Sequence, residues 1–243
     1  MRLDKFLSVT GCCSRADAKR AVRGGNVWVN GQAAHAADMK IDENKDQILY
    51  FGKEILYQKY LYIMMNKPAG VVSATEDERE LTVLNLLPDE IRREGLFPCG
   101  RLDKNTVGLL LVTDDGELAH RLLSPKNHVA KDYYFCSKFP ISDEDCEKME
   151  QGLVLDDGYV TLPARITLDE GRKSGKITLT EGKYHQIKRM LEAVHNQITF
   201  LERIRFGCLT LDSNLNRGEW RFLTSQEIAG LEAHAFGGSK RNL

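Results

Sequence analysis

The stretch Gly100-Arg101-Leu102-Asp103-Lys104-Asn105-Thr106-Val107-Gly108-Leu109-Leu110-Leu111 sets one carboxylate in a turn between apolar strands, with Arg101 and Lys104 close on either side. Neighbouring positive charge favours the ionised form, and an ionised carboxylate can act as a nucleophile or a base. Asp-Lys-Asn-Thr is equally the composition of an ordinary turn, so residue types alone leave Asp103 between chemistry and chain reversal. Lys131-Asp132-Tyr133 opens an alternating run in which Tyr133 reads as a half-buried strand tyrosine, with Tyr134 facing the opposite way. Metal chemistry finds no support: His35, His120, His128, His185, His195 and His234 lack paired ligand spacing, and Asp114-Asp115 reads as a turn followed by a helix start. Cys12, Cys13, Cys99, Cys136, Cys146 and Cys208 form no Cys-x-x-Cys pair, which predicts reduced, structural thiols.

The elements that must hold these residues follow from periodicity. The chain has 243 residues, 28% charged and 42% hydrophobic, the profile of a folded protein with a small module joined to a larger one. Tyr60–Met65 and Val107–Val112, the richest apolar runs, have the length of buried strands and fall short of the roughly 18 residues of a membrane span. No apolar segment follows Met1-Arg2-Leu3-Asp4-Lys5, so a soluble, cytoplasmic protein without a secretory signal is expected.

Leu3, Phe6 and Leu7 recur at helical spacing up to Gly11, and Ser14 with Asp17 resembles a capping box that starts a second helix ending at Gly24-Gly25. Asn30-Gly31 supplies the positive φ angles of a type I′ hairpin after Val27-Trp28-Val29. Strand-like positions at Ile48–Tyr50, Ile55 and Leu56 carry the chain to a boundary near 58–60. Beyond it, alternation predicts strands at Tyr60–Met65, Val71–Ala74, Leu96–Cys99, Leu109–Val112, Tyr133–Ser137, Leu153–Leu155, Val160–Leu162, Ala164–Thr167, Lys176–Thr180, Leu209–Leu211 and Trp220–Leu223. Helical patterns fall at Leu84–Leu87, Asp89–Glu94, Gly116–Leu123, Asp143–Gln151 and Gln186–Val194, with a last helix capped by Thr224 and Glu227. Helices and strands without regular alternation predict an α+β fold: a helix-helix-hairpin domain over 1–58, then a domain over 60–232 with a mixed, mainly antiparallel sheet flanked by helices, and a loose tail over 233–243.

The net charge of −1 is unevenly spread. Residues 1–25 carry Arg2, Lys5, Arg15, Lys19, Arg20 and Arg23 against only Asp4 and Asp17, a basic cap on a near-neutral body. Arg2-Leu3-Asp4-Lys5-Phe6-Leu7, then Ser14-Arg15-Ala18, then Gly25-Asn26-Val27-Trp28-Val29-Asn30-Gly31 resembles the RNA-binding domain first seen in small-subunit ribosomal protein S-four. The resemblance implies structured RNA as partner, with Arg2, Lys5, Arg15, Lys19 and Arg20 meeting phosphates, contacts that fix position without reading sequence.

Gly100-Arg101-Leu102-Asp103 closely resembles the signature of the pseudouridine synthases, in which the Asp attacks the target uridine. Asn66-Lys67-Pro68 with Gly70-Val71-Val72-Ser73 resembles the opening of that catalytic domain in branches acting on ribosomal RNA, where it implies a framework role. Lys131-Asp132-Tyr133 matches the family's Lys-x-Tyr, which places Tyr133 beside the carboxylate. Glu181-Gly182-Lys183-Tyr184-His185-Gln186-Ile187-Lys188-Arg189-Met190 resembles the block that ends the core and supplies a basic partner, a role that falls on Lys188, with Lys183 as the fallback. Many relatives carry Arg at that position; Lys keeps the charge and loses the bidentate fork. The resemblance runs from residue 2 to about residue 230, and Tyr184-His185-Gln186 points to the ribosomal small-subunit pseudouridine synthase A family.

That family implies isomerisation of one uridine in 16S rRNA, flipped from its stack into a pocket at a cost of a few kcal/mol. Asp103, held by Lys188 and Arg101, starts cleavage of the glycosidic bond as a covalent nucleophile or as a base on the ribose; Arg101 and Lys183 are assigned to RNA binding. No cofactor and no metal are expected, because neither redox state nor composition changes. The expected partner is 16S rRNA within an assembling small subunit, with no membrane involved and the enzyme a monomer. The alternatives are a synthase acting on 23S rRNA or tRNA, and a non-catalytic RNA-binding assembly protein in which Asp103 is dispensable. A metal-dependent hydrolase would want a carboxylate cluster or a glycine-rich phosphate loop, and neither is visible.

Overall fold

A computed structural model describes residues 1–10, 12–43, 45–55 and 59–237. The chain divides into two units, Met1–Leu61 with Leu87–Leu96, and Tyr62–Leu86 with Phe97–Leu243.

The first unit opens with α1 (Leu3–Val9) and α2 (Arg15–Arg23), whose apolar positions Leu3, Phe6, Leu7, Ala18, Ala21 and Val22 are buried in one core, as their helical spacing requires. Ser14 caps α2 by accepting from the Asp17 backbone N–H at 3.2 Å. The predicted stop at Gly11 lies outside the described residues; α1 ends at Val9, and the Thr10 hydroxyl donates to the Phe6 carbonyl at 2.8 Å. β1 (Val27–Val29) and β2 (Gln32–Ala33) flank Asn30 and Gly31, whose φ angles of 51° and 78° are the positive pair a type I′ turn needs. β3 (Ile48–Tyr50) and β4 (Lys53–Ile55) complete an antiparallel sheet of order β2-β1-β3-β4. Leu56 and the boundary read at 58 lie outside the described residues. Residues Leu87–Leu96 join this unit, where the Arg93 guanidinium donates to the carbonyls of Val9 at 2.9 Å and Lys59 at 3.0 Å.

The second unit contains, in order, β5 (Tyr62–Lys67), β6 (Phe97–Cys99), β7 (Val107–Thr113), α3 (Gly116–Leu123), β8 (Lys131–Ser137), α4 (Asp143–Gln151), β9 (Arg165–Leu168), β10 (Ser174–Leu179), α5 (Gln186–Ala193), β11 (Ile198–Phe206), β12 (Leu209–Thr210), β13 (Trp220–Phe222) and α6 (Ser225–Phe236). The sheet order is β13-β5-β7-β11-β8-β10-β9, with β6 added on β7 and β12 on β11. All named strand pairs are antiparallel except β7 with β11, so the sheet is mixed and mainly antiparallel. Every residue of β5 and β7 is buried, which is why Tyr62–Met65 and Val107–Val112 within them read as unbroken apolar runs.

Several sequence expectations give way here. Asp89–Glu94 is not a helix: the N–H groups of Ile91 and Arg92 both donate to the Pro88 carbonyl, at 3.0 and 3.1 Å, and the chain continues in turns without a helical run. The helix read at Leu84–Leu87 is a 3₁₀ turn of the same length at Val83–Leu86, too brief to propagate. Val71–Ala74 contributes only a bridge from Val72 to Thr82, and Leu153–Leu155 with Val160–Leu162 only a bridge between Val154 and Val160, because these segments wall a loop instead of joining the sheet. β11, unforeseen, lies at the centre of the sheet; Glu202, Arg203 and Arg205 interrupt its apolar alternation, and register shifts between Ile198 and Phe200 and between Arg203 and Arg205 break the period of two. α6 continues through residues 233–236, and 238–243 lie outside the described residues.

The parallel junction constrains one glycine. Gly108 has φ of 98°, and a Cβ there would overlap the Arg203 carbonyl oxygen of β11. Gly108→Ala is therefore expected to destabilise the fold by about 2 kcal/mol or more, through left-handed strain and lost approach of the strands together. Urea unfolding measures it, and an unchanged midpoint would contradict the packing described.

Candidate active site

The turn carrying Asp103 leaves β6 and enters β7, and the segment following β5 holds it. The Ser73 hydroxyl donates to the Leu102 carbonyl at 2.9 Å and accepts from the Leu102 N–H at 3.1 Å. The Gly70 N–H donates to the Lys104 carbonyl at 2.9 Å. Lys67, fully buried at the end of β5, donates from Nζ to the carbonyls of Pro68, Asp103, Lys104 and Thr106 at 3.0–3.1 Å. Burial pushes the Lys67 ammonium down to about 8, against the opposing pull of the Asp103 charge. The Asn66–Ser73 block thus ties down the turn by its backbone and leaves the Asp103 side chain free to face outward.

That side chain meets the start of α5. Lys188 Nζ lies 2.6 Å from Asp103 Oδ2, and His185 Nε2 lies 3.6 Å from Oδ1. Thr106 Oγ1 approaches Oδ2 at 3.5 Å. These groups line an open cleft of about 460 Å³, its mouth included, together with Arg101, Tyr133, Leu179, Glu181, Lys183 and Leu201. The Tyr133 ring is buried on β8, an aromatic wall beside the carboxylate. Tyr134 faces away, its hydroxyl 3.4 Å from Asp169.

The sequence-adjacent cations are not the partners of Asp103. Lys104 pairs with Glu80 at 2.7 Å, and Arg101 is exposed at the cleft with no ion pair among the described residues. Lys183 sets its ammonium over the Tyr159 ring at 4.3 Å, so Lys188 is the cation on the carboxylate. In the first unit, Arg2 is bonded to the buried Asp4 at 2.8 Å, which holds that carboxyl below the usual range, and Arg20 pairs with Asp17. Lys5, Arg15 and Lys19 are exposed and form no ion pair among the described residues.

Three residues of the site escaped sequence reasoning. His185 sits inside a block already singled out, where the sequence marks it only as a branch signature and an unpaired metal-ligand type, with no link to Asp103. Glu181, buried, accepts from Tyr159 Oη at 2.6 Å, the Leu162 N–H at 2.9 Å and Gln186 Nε2 at 2.6 Å, which locks the loop around 153–162 onto the base of α5. Lys67 stands in the Asn66-Lys67-Pro68 block, for which the resemblance implies a framework role, but nothing in the sequence marks it as the residue that holds the turn. Lys131 and Asp132 turn out structural: burial and the Arg203 charge push Lys131 down to about 8, while Asp132 accepts from Arg205 at 2.7 Å and Thr178 at 2.8 Å.

An ion-paired carboxylate beside an aromatic wall, in a cleft rimmed by cations, suits covalent or base chemistry on a flat, polyanionic substrate. Comparison with known proteins agrees. A family model described as RNA pseudouridylate synthase matches residues 61–193, and one described as S4 domain matches residues 1–46. The chain is 46% identical over 232 residues to an uncharacterized RNA pseudouridine synthase of Bacillus subtilis, covering 94% of this chain and 97% of that one. It is 39% identical over 233 residues to the ribosomal small subunit pseudouridine synthase A of Escherichia coli K12, covering 95% and 100%. A crystal structure of a pseudouridylate synthase superposes with a TM-score of 0.67 at 32% identity, over 95% of this chain and 99% of that chain. Among the described residues, no helix is long and apolar enough to cross a membrane. The chain belongs to the RNA pseudouridylate synthases, enzymes that isomerise uridine in RNA, and it carries an RNA-binding S4 domain at its N-terminal end.

Proposed function

We propose that the protein converts one uridine of small-subunit 16S rRNA to pseudouridine, working as a monomer on an assembling subunit in the cytoplasm, with Asp103 as its catalytic carboxylate. The observation that carries the reading is the Asp103–Lys188 ion pair at 2.6 Å in the cleft beside Tyr133. The target uracil, flipped from its stack, lies against Tyr133, and Arg101 at the cleft holds the place it vacates. Asp103 then breaks the glycosidic bond by one of two balanced routes. As a nucleophile it forms a bond to the base or sugar that is later released; as a base it takes a ribose proton and returns it. In either case the uracil turns, carbon five bonds to the ribose, and the proton displaced from carbon five leaves to solvent. Lys188, 2.6 Å away, offsets charge as it develops at the carboxylate. Nothing is oxidised and no group is transferred, so the reaction demands no cofactor.

The 16S assignment is supported by the curated relatives named for the ribosomal small subunit. It is tested by tritium release from uridine labelled at carbon five in 16S transcript carrying bound ribosomal proteins. Release from this substrate is expected. Release only from 23S rRNA or tRNA would keep the chemistry and overturn the substrate.

The N-terminal cations provide a separate expectation. Of the N-terminal cations read as meeting phosphates, Arg2 and Arg20 are paired while Lys5, Arg15 and Lys19 form no ion pair among the described residues, and we assign these three to phosphates. Replacing all three with Ala should lower the slope of log affinity against log salt by about 2–3, with kcat at saturating RNA near wild type. An unchanged slope in filter binding would remove this face from the RNA interface.

A further inference from the structure

Tyr184 is 74% exposed, the most exposed large hydrophobic residue among those described, and it stands immediately outside the cleft that His185 lines. Its ring stacks on the His185 imidazole with centroids 3.8 Å apart and planes inclined by 18°. His185 in turn reaches Asp103 at 3.6 Å, so the pair runs unbroken from the carboxylate to the rim. The arrangement is held against local preference. His185 adopts φ of 50° and ψ of 30°, a left-handed conformation, and it stands at the N-cap of α5 without making a side-chain cap. Gln186 fixes the turn ahead of the helix instead: its Oε1 accepts from the Lys183 N–H at 2.9 Å and its Nε2 is anchored on Glu181. Arg189, which pairs with Asp157 at 2.7 Å, approaches the Tyr184 carbonyl at 3.5 Å and helps hold the turn. A large aromatic ring held in water beside a catalytic cleft, with strain spent on its neighbour, calls for a flat partner.

We propose that the Tyr184–His185 stack is a platform for an unpaired nucleobase adjacent to the target uridine in the substrate RNA, so that Tyr184 selects RNA in which that neighbour is free to leave its helix. The inference rests on the reading of Asp103 as the centre of the reaction. Flipping one nucleotide frees the neighbouring base from half its stacking, and an exposed ring at the rim replaces what is lost. Base-on-aromatic stacking tolerates any base, so the platform sets the structural context of the target and leaves its sequence to other contacts.

The test uses the full chain and whichever of 16S, 23S or transfer RNA the wild type converts by tritium release. Tyr184→Ala is expected to raise KM roughly tenfold with kcat within about twofold, the size of one lost stacked base, while Tyr184→Phe and Tyr184→Trp stay near wild type. A purely structural tyrosine would not be rescued by both aromatics while failing as Ala, and circular dichroism checks that the Ala variant is folded. The second arm places 2-aminopurine beside the target uridine in an oligoribonucleotide spanning the site. Binding of Asp103→Asn enzyme should quench it, and the Asp103→Asn, Tyr184→Ala double variant should leave it bright. An unchanged KM for Tyr184→Ala, or equal quenching by both enzymes, would overturn the platform. Turnover by Asp103→Asn would instead overturn the reading of the carboxylate, and the KM comparison would still decide the platform.

Discussion

Replacing Asp103 with Asn is expected to lower pseudouridine formation at least about a thousandfold, since the isosteric amide can neither attack nor take a proton. The side chain is partly open to the cleft and its backbone is held by Lys67, Gly70 and Ser73, so the turn should keep its shape. Losing the pairing with Lys188 should cost no more than about 1 kcal/mol of stability at this partly solvated site. RNA affinity should remain within about threefold, because it resides in phosphate contacts that the carboxylate does not make. Tritium release with filter binding on the same RNA separates the two effects, and turnover within tenfold of wild type would remove Asp103 from the centre of the reaction. Lys188→Met would complement it: Asp103 loses its cation at 2.6 Å, and kcat should fall while KM changes little.

The second large effect is expected at Lys67. One ammonium serves four carbonyls at 3.0–3.1 Å, three of them on the turn that carries Asp103. Lys67→Met keeps the length of the side chain and removes every donor, leaving buried acceptors unsatisfied at an expected cost of about 3 kcal/mol. Where the variant still folds, kcat should fall roughly a hundredfold, because displacing the carboxylate by about 1 Å suffices for a loss of that size. Stability should also respond to pH with a definite sign. Lys67 titrates near 8 in the folded protein and at its ordinary value of 10.5 when unfolded, so between these values the unfolded chain holds more protons. The cost of burying its charge is fully present below about 8 and is relieved as the pH rises toward 10.5. Wild type should accordingly gain stability relative to Lys67→Met across that window. Urea midpoints at several pH values, compared between the two proteins, would show a flat difference if the ammonium were not confined as described.

Local patterns were the readable ones. The Asn30-Gly31 hairpin, the Ser14 cap and the capping box of Thr224 with Glu227 each depend on residues within a few positions of one another, and all three formed. The apolar runs Tyr62–Met65 of β5 and Val107–Val112 of β7 announced buried strands for the same reason. Asp89–Glu94 failed as a helix because a short polar run cannot propagate without an apolar face to bury, and its Arg93 is engaged with carbonyls of the first unit instead. β11 was invisible because its alternation is broken by charged residues that tertiary packing makes tolerable. Arg203 is buried with Nε donating to the Leu109 carbonyl at 2.7 Å, and Arg205 pairs with Asp132.

By itself the sequence determined the α+β class and the hairpin module with its basic helices, and it pointed to the family through the resemblance of short motifs in their order and spacing. Tertiary structure decided which other charges meet, Lys188 having already been named by the family resemblance. Arg101 and Lys104, beside Asp103 in the chain, turn to the cleft rim and to Glu80, while Lys188 and His185 arrive from the start of α5. A turn sends consecutive side chains in different directions, so adjacency in sequence says little about Coulomb partners. Those are set by which elements the sheet order brings together, and here it sets the turn between β6 and β7 against the N-terminal end of α5.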